Sequence, residues 1–275
     1  MSVPIGVFDS GVGGLSVLKA IRQQMPQQPV IYLADQAHVP YGQRSLEQVR
    51  AFSEEITRFL LSQGARLVVV ACNAASAASL HHLRRVFPQV PFVGMEPAVK
   101  PAAEQTRTGV VGVLATPATF QGELYASVVE RFAQGVRLLQ DTCPGLVKQI
   151  EDGQLDTPQT RAILERALIP MLAEKIDTVV LGCTHYPFVI PLIQEIAGPG
   201  VRVIDPAPSV ARQTGRLLQA AGLEAGPQDA PAWVSYYTSA DALALQNLLP
   251  KLLDCTGIVR HVGWQELKLI QVEAD

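Results

Sequence analysis

Three things are missing from this 275-residue sequence, and each absence narrows what the chain can be. No apolar run is long enough to cross a bilayer, because the longest weakly polar stretch, 67–80, is broken by Asn73, Ser76 and Ser79. The amino terminus, Met1-Ser2-Val3-Pro4-Ile5-Gly6, lacks the basic start and apolar middle of a secretion signal. A cytoplasmic protein with no membrane partner is therefore expected, and with no segment ahead of the first apolar run, no regulatory site is expected there. No charge of one sign dominates either, with 22 Lys and Arg against 25 Asp and Glu. That balance argues against nucleic acid and against an anionic surface, and favours a small, weakly charged ligand. Finally, Cys72, Cys143, Cys183 and Cys255 lie far apart and form no CxxC pair. In a reducing compartment they stay thiols, available for chemistry.

What is present is an alternation. With 48% of its residues apolar, the chain can bury two modest cores. The short apolar runs 5–8, 30–33, 68–71, 110–114, 179–181 and 201–204 read as buried strands. Between the strands lie segments with helical period. Ser45 followed by Gln48 forms a capping box, and Val49, Phe52, Ile56, Phe59 and Leu60 form the apolar stripe behind it. Thr157-Pro158 opens another helix. Strand, helix, strand in succession predicts an α/β fold with mostly parallel sheets.

An internal repeat sharpens that expectation. Residues 5–10, ending in Ser10, resemble residues 111–116, ending in Thr116, and residues 68–73, with Cys72, resemble residues 179–184, with Cys183. Each pair joins a strand to a hydroxyl or thiol residue at nearly the same spacing, which predicts two similar α/β halves. After Ala207 the chain leaves the repeat, with a long helix, a loop at 222–232, a strand at 233–237 and a helix near 241–253.

In open α/β sheets ligands bind beyond the carboxyl ends of the strands, where Cys72 and Cys183 are expected. Each thiol is expected next to a helix N-terminus, which would stabilise its thiolate and lower its pKa. Taken singly, either cysteine is more often a small buried hydrophobe. Placed alike in two halves that face each other across a cleft, related by pseudo-twofold symmetry, they can instead address opposite faces of one carbon. One thiolate then takes an α-proton, while the other thiol delivers a proton to the far face. The neighbours differ between the halves: Asp9 is replaced by Ala115, and His185 by Ala74. Asp9 is thus assigned to assist Cys72, and His185 to assist Cys183. As alternatives, Asp9 caps the following helix and His185 is an ordinary polar residue. Ser10, Asn73, Thr116, Thr119 and Thr184 follow strand ends and could bind carboxylate or ammonium groups, or cap helices. Pro40-Tyr41-Gly42 could present backbone donors and a phenol, or form a plain turn.

At this point the sequence resembles the glutamate racemase family over nearly its whole length. The resemblance is carried by residues 6–15 (Gly6-Val7-Phe8-Asp9-Ser10-Gly11-Val12-Gly13-Gly14-Leu15), Pro40-Tyr41-Gly42, Ala71-Cys72-Asn73, Leu181-Gly182-Cys183-Thr184-His185-Tyr186-Pro187 and Ile204-Asp205-Pro206. It implies interconversion of L- and D-glutamate without pyridoxal phosphate, metal or any other cofactor, supplying D-glutamate for peptidoglycan. It also implies two α/β domains, 1–97 plus 207–275 and 98–206, with the tail returning to the first. A homodimer is the expected assembly. Asp9, Ser10, Pro40, Tyr41, Gly42, Asn73, Thr116, Thr119, Thr184 and His185 match positions that bind substrate or assist the thiols, and Glu151 matches a carboxylate that supports His185. The family usually carries threonine where this chain has Ala74, leaving only a backbone N–H there. Cys143 and Cys255 match no functional position.

Competing readings fare worse. Gly11-Val12-Gly13-Gly14-Leu15-Ser16 after a strand suggests dinucleotide binding, with Asp35 as a ribose-binding acid, but Ser16 stands where the fingerprint needs glycine. Cys183 and His185 could ligate zinc, yet no further ligand has suitable spacing. An aspartate racemase of the same superfamily keeps the fold and changes the substrate. A two-lobed binding protein keeps the ligand and loses the chemistry.

Overall fold

The computed structural model describes residues 3–226 and 232–271, so positions 227–231 of the expected 222–232 loop lie outside the described residues. The chain opens with β1 (Ile5–Asp9), α1 (Leu15–Gln24), β2 (Val30–Ala34), α2 (Leu46–Ser62), β3 (Leu67–Val70), α3 (Asn73–Val86) and β4 (Phe92–Gly94). A second run follows: α4 (Val99–Gln105), β5 (Val110–Ala115), α5 (Pro117–Gln121), α6 (Glu123–Phe132), β6 (Arg137–Asp141), α7 (Leu146–Glu151), α8 (Pro158–Ala173), β7 (Thr178–Gly182), α9 (Ile190–Ala197) and β8 (Arg202–Ile204). The last stretch holds α10 (Ala207–Ala221), β9 (Val234–Thr238), α11 (Ala242–Leu253), β10 (Val259–Gln265) and β11 (Lys268–Gln271). Two compact units result, one from the described residues up to Met95 and from Ala207 onward, the other from Glu96–Pro206.

Both sheets carry one strand order. In the first unit the sheet runs β11-β10-β9-β2-β1-β3-β4, parallel except where β11 folds back antiparallel on β10. In the second it runs β6-β5-β7-β8, all parallel. Removing the strands added by the last stretch leaves the same order in each: second, first, third, fourth. The registers agree as well, since Gly6 faces Val68 and Gly112 faces Val179. These are the residues that the internal repeat aligns.

Every residue of β1, β2, β3 and β7 is buried, as expected for parallel strands covered on both faces by helices. The α2 stripe is buried as its spacing predicts. Its start is fixed by the capping box, in which Ser45 Oγ accepts from the Gln48 N–H at 3.2 Å and Gln48 Oε1 accepts from the Ser45 N–H at 3.1 Å. Truncating the fully buried Ile56 of that stripe to alanine would cost about 2–5 kcal/mol. Thr157 caps α8 through Thr160 N–H at 3.2 Å, and Asp241 caps α11 through the Leu243 and Ala244 N–H groups.

Candidate active site: one thiol in each unit

The strand order has a chemical consequence. Where crossovers leave a sheet on opposite sides, a crevice opens beyond the carboxyl ends of the two central strands. In the first unit those strands are β1 and β3, followed by Ser10 and, after Ala71, by Cys72. In the second they are β5 and β7, followed by Thr116 and Cys183. Two glycines permit the close approach of backbone at these ends. A Cβ at Gly14 would fall 2.6 Å from Asp9 Cβ, so the glycine run accommodates α1 over Asp9. A Cβ at Gly182 would fall 2.7 Å from that of Ala115.

Cys72 is the N-cap of α3, in extended backbone conformation, and its buried Sγ accepts from the Ala75 N–H at 3.5 Å. The same thiol donates to Ser10 Oγ at 3.7 Å, and Ser10 Oγ donates to Asp9 Oδ1 at 3.4 Å. A thiol, a hydroxyl and a carboxylate thus form one hydrogen-bonded chain. Asp9 has no exposed surface and accepts from the Gly11 N–H at 2.7 Å, while α1 begins at Gly14 without a side-chain cap. The expectation of a lowered pKa at Cys72 is corrected: burial, and then the charge of Asp9, push the thiol up to about 12. The Ala75 N–H and Ser10 pull the other way and are outweighed. A helix N-terminus favours a thiolate only as long as desolvation and a like charge do not exceed it.

Asn73 follows within the first turn of α3. It is 6% exposed, yet neither its Oδ1 nor its Nδ2 has a hydrogen-bond partner. An unfilled buried amide costs about 1–3 kcal/mol per polar group, a penalty that a polar ligand would remove. Ala74, half-buried, presents no hydroxyl. Tyr41 is buried between half-buried Pro40 and Gly42, and its hydroxyl donates to Asp35 Oδ2 at 2.6 Å. Burial, followed by Asp35, Cys72 and Asp9, holds its phenol well above the usual pKa, so it remains a neutral donor.

The second unit builds a parallel chain from different groups. Cys183 Sγ lies 3.6 Å from His185 Nδ1, and His185 Nε2 lies 2.6 Å from Glu151 Oε1 at the end of α7. Burial opposes a charge on His185, but hydrogen bonds to Cys183 and Glu151 and their charges prevail, holding its pKa well above the usual value. That shift favours the protonated ring, in which Nδ1–H points to the sulfur and Nε2–H to Glu151. The expectation of an α-helix N-terminus at Cys183 is also corrected, because β7 leads into a short 3-10 turn, Tyr186–Val189, before α9. The polar group beside this sulfur is a side chain instead of a helix end.

Thr119 is buried and donates to Gly182 O at 3.3 Å, with half-buried Thr116 Oγ1 3.2 Å from Thr119 Oγ1. Thr184 is buried beside Cys183. Two neighbours were not anticipated as part of this half-site: buried Tyr186, whose ionisation is opposed by burial and then by charge at Cys183, and buried Cys143, opposed by burial, then by Asp141 and Cys183. Tyr186 was visible only as part of a motif, and Cys143 gave no signal. Among the described residues no group of three or more His, Cys, Asp or Glu could hold a metal ion, and no helix is long and apolar enough to cross a membrane.

Comparison with known proteins adds kinship to this geometry. Residues 5–214 match the family described as Asp/Glu/Hydantoin racemase. A glutamate racemase of Roseiflexus sp. (strain RS-1) is 48% identical over 260 residues, covering 94% of this chain and 96% of that relative. One from Pseudomonas aeruginosa (strain PAO1) is 51% identical over 251 residues, covering 91% and 94%. Among solved structures, Escherichia coli glutamate racemase in complex with L-glutamate and the activator UDP-MurNAc-Ala is similar with a TM-score of 0.84 at 32% identity, covering 99% of this chain and 100% of that one.

Proposed function

The chain belongs to the Asp/Glu/Hydantoin racemase family and is an amino-acid racemase of the glutamate racemase type, and on that premise we propose that it interconverts L- and D-glutamate with Cys72 and Cys183 as its two acid–base groups. The observation that carries the reading is the placement of the two sulfurs, each just beyond a central strand of a sheet with the same order, and each hydrogen-bonded into a chain that ends in a carboxylate.

In one direction the Cys183 thiolate takes the α-proton and becomes a thiol. The C–H electron pair stays on the α-carbon and spreads into the adjacent carboxylate, while the Cys72 S–H gives its proton to the opposite face. That transfer leaves Cys72 as a thiolate. The reverse direction thereby becomes available, with Cys72 as base and Ser10 and Asp9 behind it. Asn73, with both amide atoms unfilled, offers a donor and an acceptor to the substrate's carboxylate and ammonium, and Ser10, Thr116, Thr119, Thr184 and the Pro40-Tyr41-Gly42 loop complete the polar lining. We assign Glu151 to orient His185, and infer a cytoplasmic homodimer that supplies D-glutamate for peptidoglycan. Four cysteines, all free, fit a reducing compartment.

Incubation with L-glutamate or L-aspartate in deuterated water, followed by proton NMR at the α-carbon, tests the substrate. Exchange and inversion with glutamate are expected. Exchange with aspartate alone would overturn the assignment and turn attention to the missing hydroxyl at Ala74.

A further inference from the structure

Asp35 takes part in neither thiol chain, yet its carboxylate meets four other side chains. It follows β2 directly, has no exposed surface, and donates its backbone N–H to Asp9 O at 2.9 Å. Four side chains from three segments of the sequence fill its carboxylate. Oδ2 accepts from Tyr41 Oη at 2.6 Å and lies 2.9 Å from His38 Nδ1. Oδ1 accepts from Ser239 Oγ at 2.6 Å and from Trp264 Nε1 at 2.7 Å. His38 is stacked on Phe52 at 3.9 Å between ring centres, and Trp264 meets His38 edge-on at 5.1 Å.

A carboxylate with no exposed surface is costly to bury and persists only when its lone pairs are filled. An apolar plug of equal volume would stabilise a core at least as well, so a filled buried network is better suited to fixing one arrangement than to adding stability. The arrangement fixed here is that of Tyr41, which lies close enough to Cys72 and Asp9 for their charges to act on its phenol. We propose that Asp35 is a positioning residue for the Pro40-Tyr41-Gly42 loop, and that Ser239 and Trp264, from the returning end of the chain, set through it where that loop meets the amino-acid substrate. The proposal rests on the reading above, in which the loop faces substrate.

The chemistry of the network says which variants to use. In Asp35→Asn one oxygen becomes an NH2 group. The indole N–H can only donate, so the remaining oxygen turns to Trp264 and the NH2 faces Tyr41 and His38, reversing their hydrogen bonds. Trp264→Phe keeps an aromatic ring against Phe52 and His38 and removes a single donor.

Initial-rate kinetics of the full chain in both directions, with thermal melting alongside, test the idea. Expected is a rise in KM for glutamate of about tenfold in Asp35→Asn and about threefold in Trp264→Phe, with kcat changing less than KM. A second readout uses Trp233→Phe, which removes an exposed ring and leaves Trp264 as the sole tryptophan. Its emission should change saturably on addition of D-glutamate, with a midpoint that follows KM, and the response should vanish when Asp35→Asn is added. Unchanged KM in both variants, with only a lower melting temperature, would overturn the proposal. Should Asp35→Asn fail to fold, an unchanged KM in Trp264→Phe overturns it alone. Failure of the unaltered protein to racemise glutamate strikes the substrate reading instead. The same emission titration with aspartate then decides the role of Asp35: a saturable response lost in Asp35→Asn supports it, and no response overturns it.

Discussion

The two units repeat one strand order and one kind of hydrogen-bonded chain, but they place different groups in its middle. At Cys72 the link between sulfur and carboxylate is the hydroxyl of Ser10, whereas at Cys183 it is the imidazole ring of His185. Beside a neutral link, burial and then the charge of Asp9 outweigh the hydrogen bonds from Ala75 and Ser10 and push the thiol up to about 12. At Cys183 the link is a ring whose protonation is favoured, with a carboxylate behind it. A racemase working through two thiols needs one sulfur protonated and the other ready to accept a proton at the same moment. Unequal neighbours on a repeated scaffold supply the two thiols with different helpers.

Removing either sulfur should break the comparison most severely. Cys72→Ser and Cys183→Ser are each expected to lower racemisation in both directions by about 10³-fold or more, read by circular dichroism of the amino acid. Retained turnover in both variants would end the two-thiol account. Changing the helpers should sharpen it. Asp9→Asn and His185→Asn are expected to slow the two directions unequally, by roughly ten- to a hundredfold in the more affected one, and the favoured direction should switch between the variants. Equal losses would dissolve the pairing of each helper with its own sulfur.

A smaller effect concerns the thiol's titration. Asp9→Asn removes a negative charge from beside Cys72, which eases formation of the thiolate, so the pKa must fall from about 12. The difference in 240 nm absorbance between Asp9→Asn and Asp9→Asn/Cys72→Ser, followed through an alkaline titration, isolates that group. An unchanged or higher midpoint would contradict the charge argument. Smallest is Ala74→Thr, which adds one hydroxyl next to Asn73. A hydrogen bond worth about 0.5–1.5 kcal/mol lowers KM for glutamate roughly two- to tenfold. A raised KM would place that side chain away from the substrate.

How much of this was legible beforehand follows from where each signal is stored. Strands buried on both faces announce themselves as apolar runs, so β1, β3 and β7 and the thiols beyond them can be read directly, and the matching runs expose the duplication. Strands β4 and β6 do not stand out, the one being three residues long and the other an edge strand with two exposed and three half-buried positions. Charge relations are stored in the third dimension. Glu151 meets His185 across 34 residues of sequence, and Asp35 gathers Ser239 and Trp264 from 204 and 229 residues away, with no spacing rule to betray either. For the same reason the raised pKa of Cys72 is not legible in sequence: a helix N-terminus is visible there, while desolvation and the reach of Asp9 are not.

The central claim is that two sulfurs with unequal neighbours exchange protons with opposite faces of one carbon. It is tested most directly by following early turnover of protiated L-glutamate in deuterated water. The account predicts that the first D-glutamate formed carries deuterium at its α-carbon, while the remaining L-glutamate keeps its proton. Deuterium appearing in L-glutamate before or alongside the product would mean that a single group serves both faces, and would contradict it.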